Sequence, residues 1–315
     1  MGVVLLKIPG SNLVTTIFNM LQFSSKGIQS RSIVVRKPHR TFNVSLHGSI
    51  HGTSLGGGFR SSDSGLSFAV SSLKSRCRIL CHANMSADVP RTASDHVLTT
   101  LQQADGICFD VDSTFCQDES IDELAEYLGV GEKVKELTAK AMGGSVLFQE
   151  ALADRLGAMN PSQLDVDNFL RDHPHMLSTG IQELLNALKA KNIKVFLVSG
   201  GFRQIIHPLA ESLDIPISHV FANNLLFDDS GKYAGFDPEE FTSRSGGKKE
   251  AVIHIKKNWG LSTVVMVGDG ATDAEAKDPA GADLFIGYGG TVFREGVAKR
   301  SDWYVMEIKE ITEKL

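Results

Sequence analysis

Gly106-Ile107-Cys108-Phe109-Asp110-Val111-Asp112-Ser113-Thr114 is the stretch whose reading decides the fold. An apolar run ends in two aspartates one residue apart, and two hydroxyl residues follow. A short apolar run bounded this way predicts a buried strand that opens at its C-terminal end into a loop. In open α/β sheets, ligands sit outside that end of the strands. Two carboxylates at one strand tip repel each other unless something cationic is shared between them. Asp110 and Asp112 are therefore the first candidates for chemistry.

Outward from this strand the chain alternates between two periods. Ile121, Leu124, Ala125 and Leu128 recur at helical spacing before Gly129. From 130 to 179 the pattern is helical only, with stripes at Val134/Leu137/Ala141, Phe148/Leu152/Leu156 and Val166/Phe169/Leu170. Breaks fall at Gly143-Gly144, Asn160-Pro161 and Pro174, so this reads as a small helical module inserted after the first strand–helix unit. The rhythm then resumes. Val195–Val198, Val264–Val267 and Leu284–Ile286 read as further strands separated by helices, and 219–236 reads as a β-hairpin around Asp228-Asp229-Ser230-Gly231. Strands alternating with helices predict an α/β fold with a doubly wound parallel sheet. The expected core is 88–129 with 180–315, and the helical insertion is 130–179.

Charge divides the chain differently. Residues 1–87 hold ten of the 32 Lys/Arg but only one acid, Asp63, leaving 22 basic and 36 acidic residues in the remainder, a formal −14. Such a body repels nucleic acid. The leader is basic and Ser-rich, the composition of an organelle transit peptide. Residues 1–83 are expected to be disordered and removed, with the plastid stroma as destination and the mitochondrion as the alternative. The apolar start at Val3–Leu6 is interrupted by Lys7, Pro9 and Gly10, too early for a membrane span. Cys77 and Cys81 would leave with the leader, and Cys108 and Cys116 read as small hydrophobes.

Three strand tips converge on one sheet edge. They bring Asp110/Asp112, then Ser199-Gly200-Gly201, then Asp269 with Asp273, and Lys248 adds a cation at a helix start. Each has an ordinary reading alone: a cap, a turn, a solvated lysine. Together they meet the needs of phosphate-ester cleavage. An aspartate can attack phosphorus and form an acyl phosphate, but it approaches a dianion, so a hard divalent cation must neutralise both. Mg²⁺ takes few carboxylates and several other oxygens. Asp110 and Asp269 can supply the carboxylates, and the Asp112 carbonyl can complete the protein share. Lys248 would compensate the remaining charge, while Ser199 and the N–H groups at the following helix start hold phosphate oxygens.

This set, with Gly268-Asp269-Gly270-Ala271-Thr272-Asp273, resembles the four-motif signature of the haloacid dehalogenase-like phosphotransferase superfamily over about residues 88–315, and within it the phosphoserine-hydrolysing branch. The resemblance implies Asp110 as nucleophile and Asp112 as general acid and base. It implies Mg²⁺ at Asp110, Asp112 and Asp269, with Asp273 orienting the metal shell. The implied reaction is hydrolysis of O-phospho-L-serine to L-serine and phosphate, the last step of the phosphorylated route to serine, with the helical insertion as a closing cap. A substrate bearing an ammonium and a carboxylate needs an acid and a base away from the metal. Glu119 suits the first and Arg155 the second. Met142 and Gly143 would add an apolar wall and backbone N–H groups, and Thr272 the metal or substrate edge. Of the adjacent Lys248 and Lys249, the position after Gly246-Gly247 favours Lys248. No nucleic-acid or membrane partner is expected, and a homodimer is left open. The rival readings are a phosphotransferase, or a phosphatase for another small alcohol, using the same Asp110; a non-enzymatic phosphate-binding protein would need no nucleophile.

Overall fold

The structure, a computed structural model, describes residues 2–7, 14–19, 31–37, 40–46, 88–140 and 147–315. Residues 1–83 and 84–315 form two separate compact units. Within the first, β1 (Gly2–Lys7) pairs antiparallel with β2 (Val14–Asn19), and β3 (Arg31–Lys37) with β4 (Arg40–Leu46). The described stretches are rich in Val, Ile and Thr, which supplies their β-preference.

The second unit is organised around β5 (Gly106–Phe109). It carries α1 (Asp95–Gln102), α2 (Ser120–Tyr127), α3 (Gly131–Lys140), α4 (Phe148–Met159), α5 (Gln163–Asp172), α6 (Ile181–Ala190), β6 (Lys194–Phe202) and α7 (Arg203–Ser212). Then follow β7 (Val220–Asn223), β8 (Leu225–Phe227), β9 (Tyr233–Phe236), α8 (Gly247–Asn258), β10 (Val264–Gly268) and α9 (Ala271–Glu275). The chain closes with β11 (Leu284–Tyr288), α10 (Glu295–Ala298), β12 (Trp303–Val305) and α11 (Ile308–Thr312).

Six strands form one parallel sheet in the order β12-β11-β10-β5-β6-β7. The chain moves from β5 outward through β6 to β7, then returns across it to β10, β11 and β12. The tips of β5 and β10 therefore flank the switch point, where a crevice opens in doubly wound sheets.

The strands alternate between two apolar clusters, as a two-residue period requires. Ile107, Phe109, Val265, Val267, Leu284 and Ile286 face one, and Cys108, Val264, Met266 and Phe285 the other. A third cluster joins α2 to the inserted helices through Leu124, Ala125, Val134, Leu152, Leu156, Val166 and Phe169, with Phe202, Ile205 and Leu225 from the core. The helix before 130 thus packs with the insertion.

Two readings of the strands need correction. The segment 219–236 is not one hairpin: Val220–Asn223 joins the main sheet as its parallel edge, and only β8 and β9 form the antiparallel ribbon. The apolar run Val220–Ala222 lies fully buried, so it behaves as a sheet strand rather than a half-exposed ribbon. The sixth strand, β12, and the first helix, α1, carry only short apolar signals and escaped the periodicity. Among the described residues, no helix is long and apolar enough to cross a membrane.

Candidate active site

Asp110 leaves the sheet while still tied to it, its N–H donating to the Val267 carbonyl at 2.9 Å. The backbone then makes one wide turn over Val111–Phe115, closed by Phe115 N–H to Asp110 O (3.2 Å) and Cys116 N–H to Val111 O (2.8 Å). Inside it Asp112 is extended and Ser113 is left-handed, at φ 56°. Non-glycine residues occupy that region at a cost and chiefly where surroundings over-determine them. Here Ser113 N–H donates to Asp118 O (3.0 Å), and its hydroxyl donates to Glu119 Oε1 (2.7 Å). The turn thereby aims the two aspartates apart.

Asp110 Oδ1 accepts the Val111 N–H at 2.8 Å and lies 2.8 Å from Lys248 Nζ. Lys248, buried near the start of α8, also reaches Asp273 Oδ1 at 2.7 Å. Asp273 is completely buried, and its other oxygen accepts the Gly270 N–H at 2.8 Å. Burial opposes the Lys248 charge, yet the Asp110 and Asp273 carboxylates raise it above its ordinary value. Burial, then the Asp110 carboxylate, raises Asp273 against the pull of Lys248. Lys249, its neighbour, points away to Asp278 at 2.7 Å.

The Asp112 carboxylate faces elsewhere. Its Oδ1 accepts both the N–H (2.9 Å) and the hydroxyl of Ser120, and Ser199 Oγ lies 3.4 Å from Oδ2. Burial, with Glu119 and Asp110 adding repulsion, raises it above an ordinary aspartate. Ser199 Oγ accepts the Gly201 N–H at 2.8 Å, which places Ser199-Gly200-Gly201 beside the aspartate turn.

Asp110, Asp269 and Asp273 bring carboxylate oxygens within 4.8 Å of one another, all buried. Asp269 Oδ1 accepts the Thr114 hydroxyl at 3.2 Å, while Oδ2 is buried without a hydrogen bond and the Arg294 guanidinium lies against it. Lys248 spans Asp110 and Asp273 but does not reach Asp269. Three converging buried carboxylates fit a hard cation with oxygen ligands.

The substrate end is looser. Glu119 holds Ser113 and lies 3.7 Å from Arg294 Nη2, and burial raises it above an ordinary glutamate. Arg155 is half-buried, its Nε donating to Ala151 O at 3.0 Å. Burial lowers it, opposed by the carboxylates of Asp122 and Glu119. Phe148, opening α4, overhangs the cradle: a Cβ at Gly200 would meet its ring at 3.5 Å. Thr272 is half-exposed beside Asp273. Met142 and Gly143 lie outside the described residues.

Arg294 was not anticipated. Its guanidinium touches Asp269 and donates to that residue's carbonyl at 3.2 Å. The available signal was a basic residue in the loop leaving β11, a fourth strand tip on the same edge.

A family model described as a haloacid dehalogenase-like hydrolase matches residues 104–281. The chain belongs to the haloacid dehalogenase-like hydrolases. It is 52% identical over 222 residues to the chloroplastic phosphoserine phosphatase of Arabidopsis thaliana, spanning 70% of this chain and 75% of that one. It is 48% identical over 208 residues to the phosphoserine phosphatase of Bos taurus, spanning 66% and 92% respectively. A solved phospho-aspartyl intermediate analogue of phosphoserine phosphatase matches with a TM-score of 0.57 at 28% identity, over 68% of this chain and 99% of that one. Haloacid dehalogenase-like hydrolases generally use Mg²⁺, which agrees with the three-carboxylate cluster.

Proposed function

We propose that the chain is a Mg²⁺-dependent phosphomonoesterase that hydrolyses O-phospho-L-serine to L-serine and phosphate through an aspartyl phosphate on Asp110. The observation that carries this reading is Asp110 held at the β5 tip by the Val111 N–H and Lys248, with Asp112 two residues on but aimed separately. A carboxylate fixed at a sheet edge is preorganised to attack. Relatives named phosphoserine phosphatase support the substrate.

An Asp110 carboxylate oxygen attacks phosphorus as the bond from phosphorus to the serine oxygen breaks. Protonated Asp112 gives its proton to that leaving oxygen. Asp112, now a carboxylate, takes a proton from water as the water oxygen attacks phosphorus, releasing phosphate and regenerating Asp110. A raised Asp112 suits both halves, because general acid–base work is best done near the operating pH. Asp110, Asp269 and the Asp112 carbonyl would hold Mg²⁺, with Asp273 steadying the shell. Bound there, it would supply positive charge against the phosphoryl oxygens. Ser199, Gly200, Gly201 and Lys248 hold those oxygens. Glu119 takes the substrate ammonium, and Arg155 its carboxylate. Met142 and Gly143 would add an apolar wall and backbone N–H groups, and Thr272 would serve the metal or substrate edge.

The helices of 130–179 serve as the cap, which excludes bulk water on closing. Residues 1–83 direct the chain to the plastid stroma, a reading supported by a plant relative named chloroplastic. The test is Mg²⁺-dependent phosphate release from phosphoserine, phosphothreonine, glycerol phosphate and an aryl phosphate, with and without chelator. Phosphoserine should be turned over fastest, and chelation should abolish release. Equal rates across the panel would remove the substrate assignment, and transfer to an added alcohol in place of phosphate release would make it a phosphotransferase.

A further inference from the structure

The phosphate cradle sits in an irregularity of the sheet. Val198 pairs with Phe221 and Phe202 with Asn223, so four steps along β6 oppose two along β7. The residues bulged out are Ser199-Gly200-Gly201, which frees their backbone groups from the ladder. The Gly200–Gly201 peptide has no Cβ on either side, and nothing intrinsic prevents it from turning over. Yet its two ends are bonded in opposite directions. Gly201 N–H donates to Ser199 Oγ at 2.8 Å, and Gly200 O accepts from Asn223 Nδ2 at 2.8 Å. Because a trans peptide is planar, fixing the carbonyl fixes the N–H.

Asn223 is itself completely buried, and its remaining oxygen accepts the Thr242 hydroxyl at 3.1 Å. The carbonyl of Gly200 can accept only from a donor, which sets the amide orientation and leaves Oδ1 for Thr242. Thr242 lies in the turn Phe241–Ser243, and that turn is anchored twice more. Ser243 Oγ donates to Glu240 O (2.8 Å) and Pro238 O (3.0 Å), and Glu240 grips Arg203, the first residue after the cradle strand, through two oxygens at 2.5 and 2.8 Å. On its other side the turn meets Gly247, where a Cβ would fall 1.7 Å from Phe241 O. Gly247 directly precedes Lys248. One buried turn thus touches both halves of the phosphate site.

We propose that Asn223, held by Thr242, is a positioning residue that locks the cradle peptide in its phosphate-binding orientation, and that the 241–243 turn fixes the cradle relative to Lys248. This rests on the phosphatase reading of the site. Neither residue contacts the phosphoryl group; both act through Gly200 and Gly247.

The experiment measures inorganic phosphate binding by calorimetry to the Mg²⁺-loaded protein, alongside thermal melting and the hydrolysis of phosphoserine and an aryl phosphate. Thr242→Val keeps the shape and removes the hydroxyl; it should weaken phosphate binding roughly tenfold, the size of one lost buried hydrogen bond. Asn223→Ala should do at least the same, and KM should rise in parallel for both esters. Thr242→Ser should restore phosphate affinity. Unchanged phosphate affinity in Thr242→Val would overturn the proposal. So would a loss confined to the melting temperature, or unfolding of Thr242→Val, because the pair would then serve the fold alone. If Asn223→Ala does not fold, the Thr242 variants decide. A wild-type protein that cleaves the aryl ester but not phosphoserine would instead remove the substrate assignment, leaving the phosphate-binding result to judge the latch.

Discussion

The two ends of the site are built differently. At the sheet edge, Asp110, Lys248 and Asp273 are buried, and Lys248 reaches each carboxylate within 2.8 Å. At the insertion end, Arg294 stands 3.7 Å from Glu119, and Arg155 spends its Nε on its own helix. Fixed, desolvated charges suit chemistry that is the same for every phosphate ester, since preorganised groups need no reorganisation during reaction. Half-exposed, loosely bonded charges suit recognition that must open and close. The first three substitutions below each break one end and leave the other, and the last should break neither.

The largest effect belongs to Asp110→Asn. It keeps the size of the side chain and removes the nucleophile, so kcat should fall by at least about 10⁴-fold, as nucleophile deletions do. Because the sheet edge is indifferent to the alcohol, the loss should be equal for phosphoserine and an aryl phosphate. Retained activity measured by phosphate release would exclude the covalent route.

Lys248→Met comes next and should cut the rate for both esters by about 10²–10³-fold. It also leaves two buried carboxylates without their shared cation, which should destabilise the fold by about 3–5 kcal/mol in denaturant titration. A fold loss without a rate loss would make Lys248 a structural partner of Asp273 alone.

The sheet edge was also the more legible end. Asp110, Ser199, Lys248 and Asp269 follow strands or open a helix whose periodicities are plain, so topology alone brings them together. The insertion end was not legible in the same way. Its charges reach the site from a strained turn at Ser113, from the polar side of a helix and from the loop after β11, and the apolar pattern marks none of them. Arg294 went unnoticed for that reason. The edge strand Val220–Asn223 was misjudged because the ribbon that follows it begins only two residues later, at Leu225. Nothing in the amino-acid sequence marks Asn223 as bonded to Gly200, since that contact exists only once β6 bulges.

Arg155→Ala tests the recognition end. Losing a charged hydrogen-bond donor to the substrate carboxylate should lower kcat/KM for phosphoserine roughly tenfold to hundredfold. An aryl phosphate, having no such carboxylate, should be cleaved at nearly the wild-type rate. Equal losses on both esters would mean that Arg155 supports the helix packing and not the substrate.

The smallest effect is expected one residue from the second largest. Lys249 differs from Lys248 by about 100° of rotation around α8. That rotation takes it from the buried edge to a partly exposed pair with Asp278 at 2.7 Å. Exposed ion pairs are screened and exchange readily with water. The Lys249 pair also lies outside the carboxylate cluster, so its loss strands no buried charge. Lys249→Ala should therefore change kcat/KM for either ester by less than about twofold and leave the denaturation midpoint nearly unmoved. A loss comparable with that of Lys248→Met would mean that the two lysines trade places when substrate is bound. The rigid sheet edge would then be as mobile as the insertion it is contrasted with.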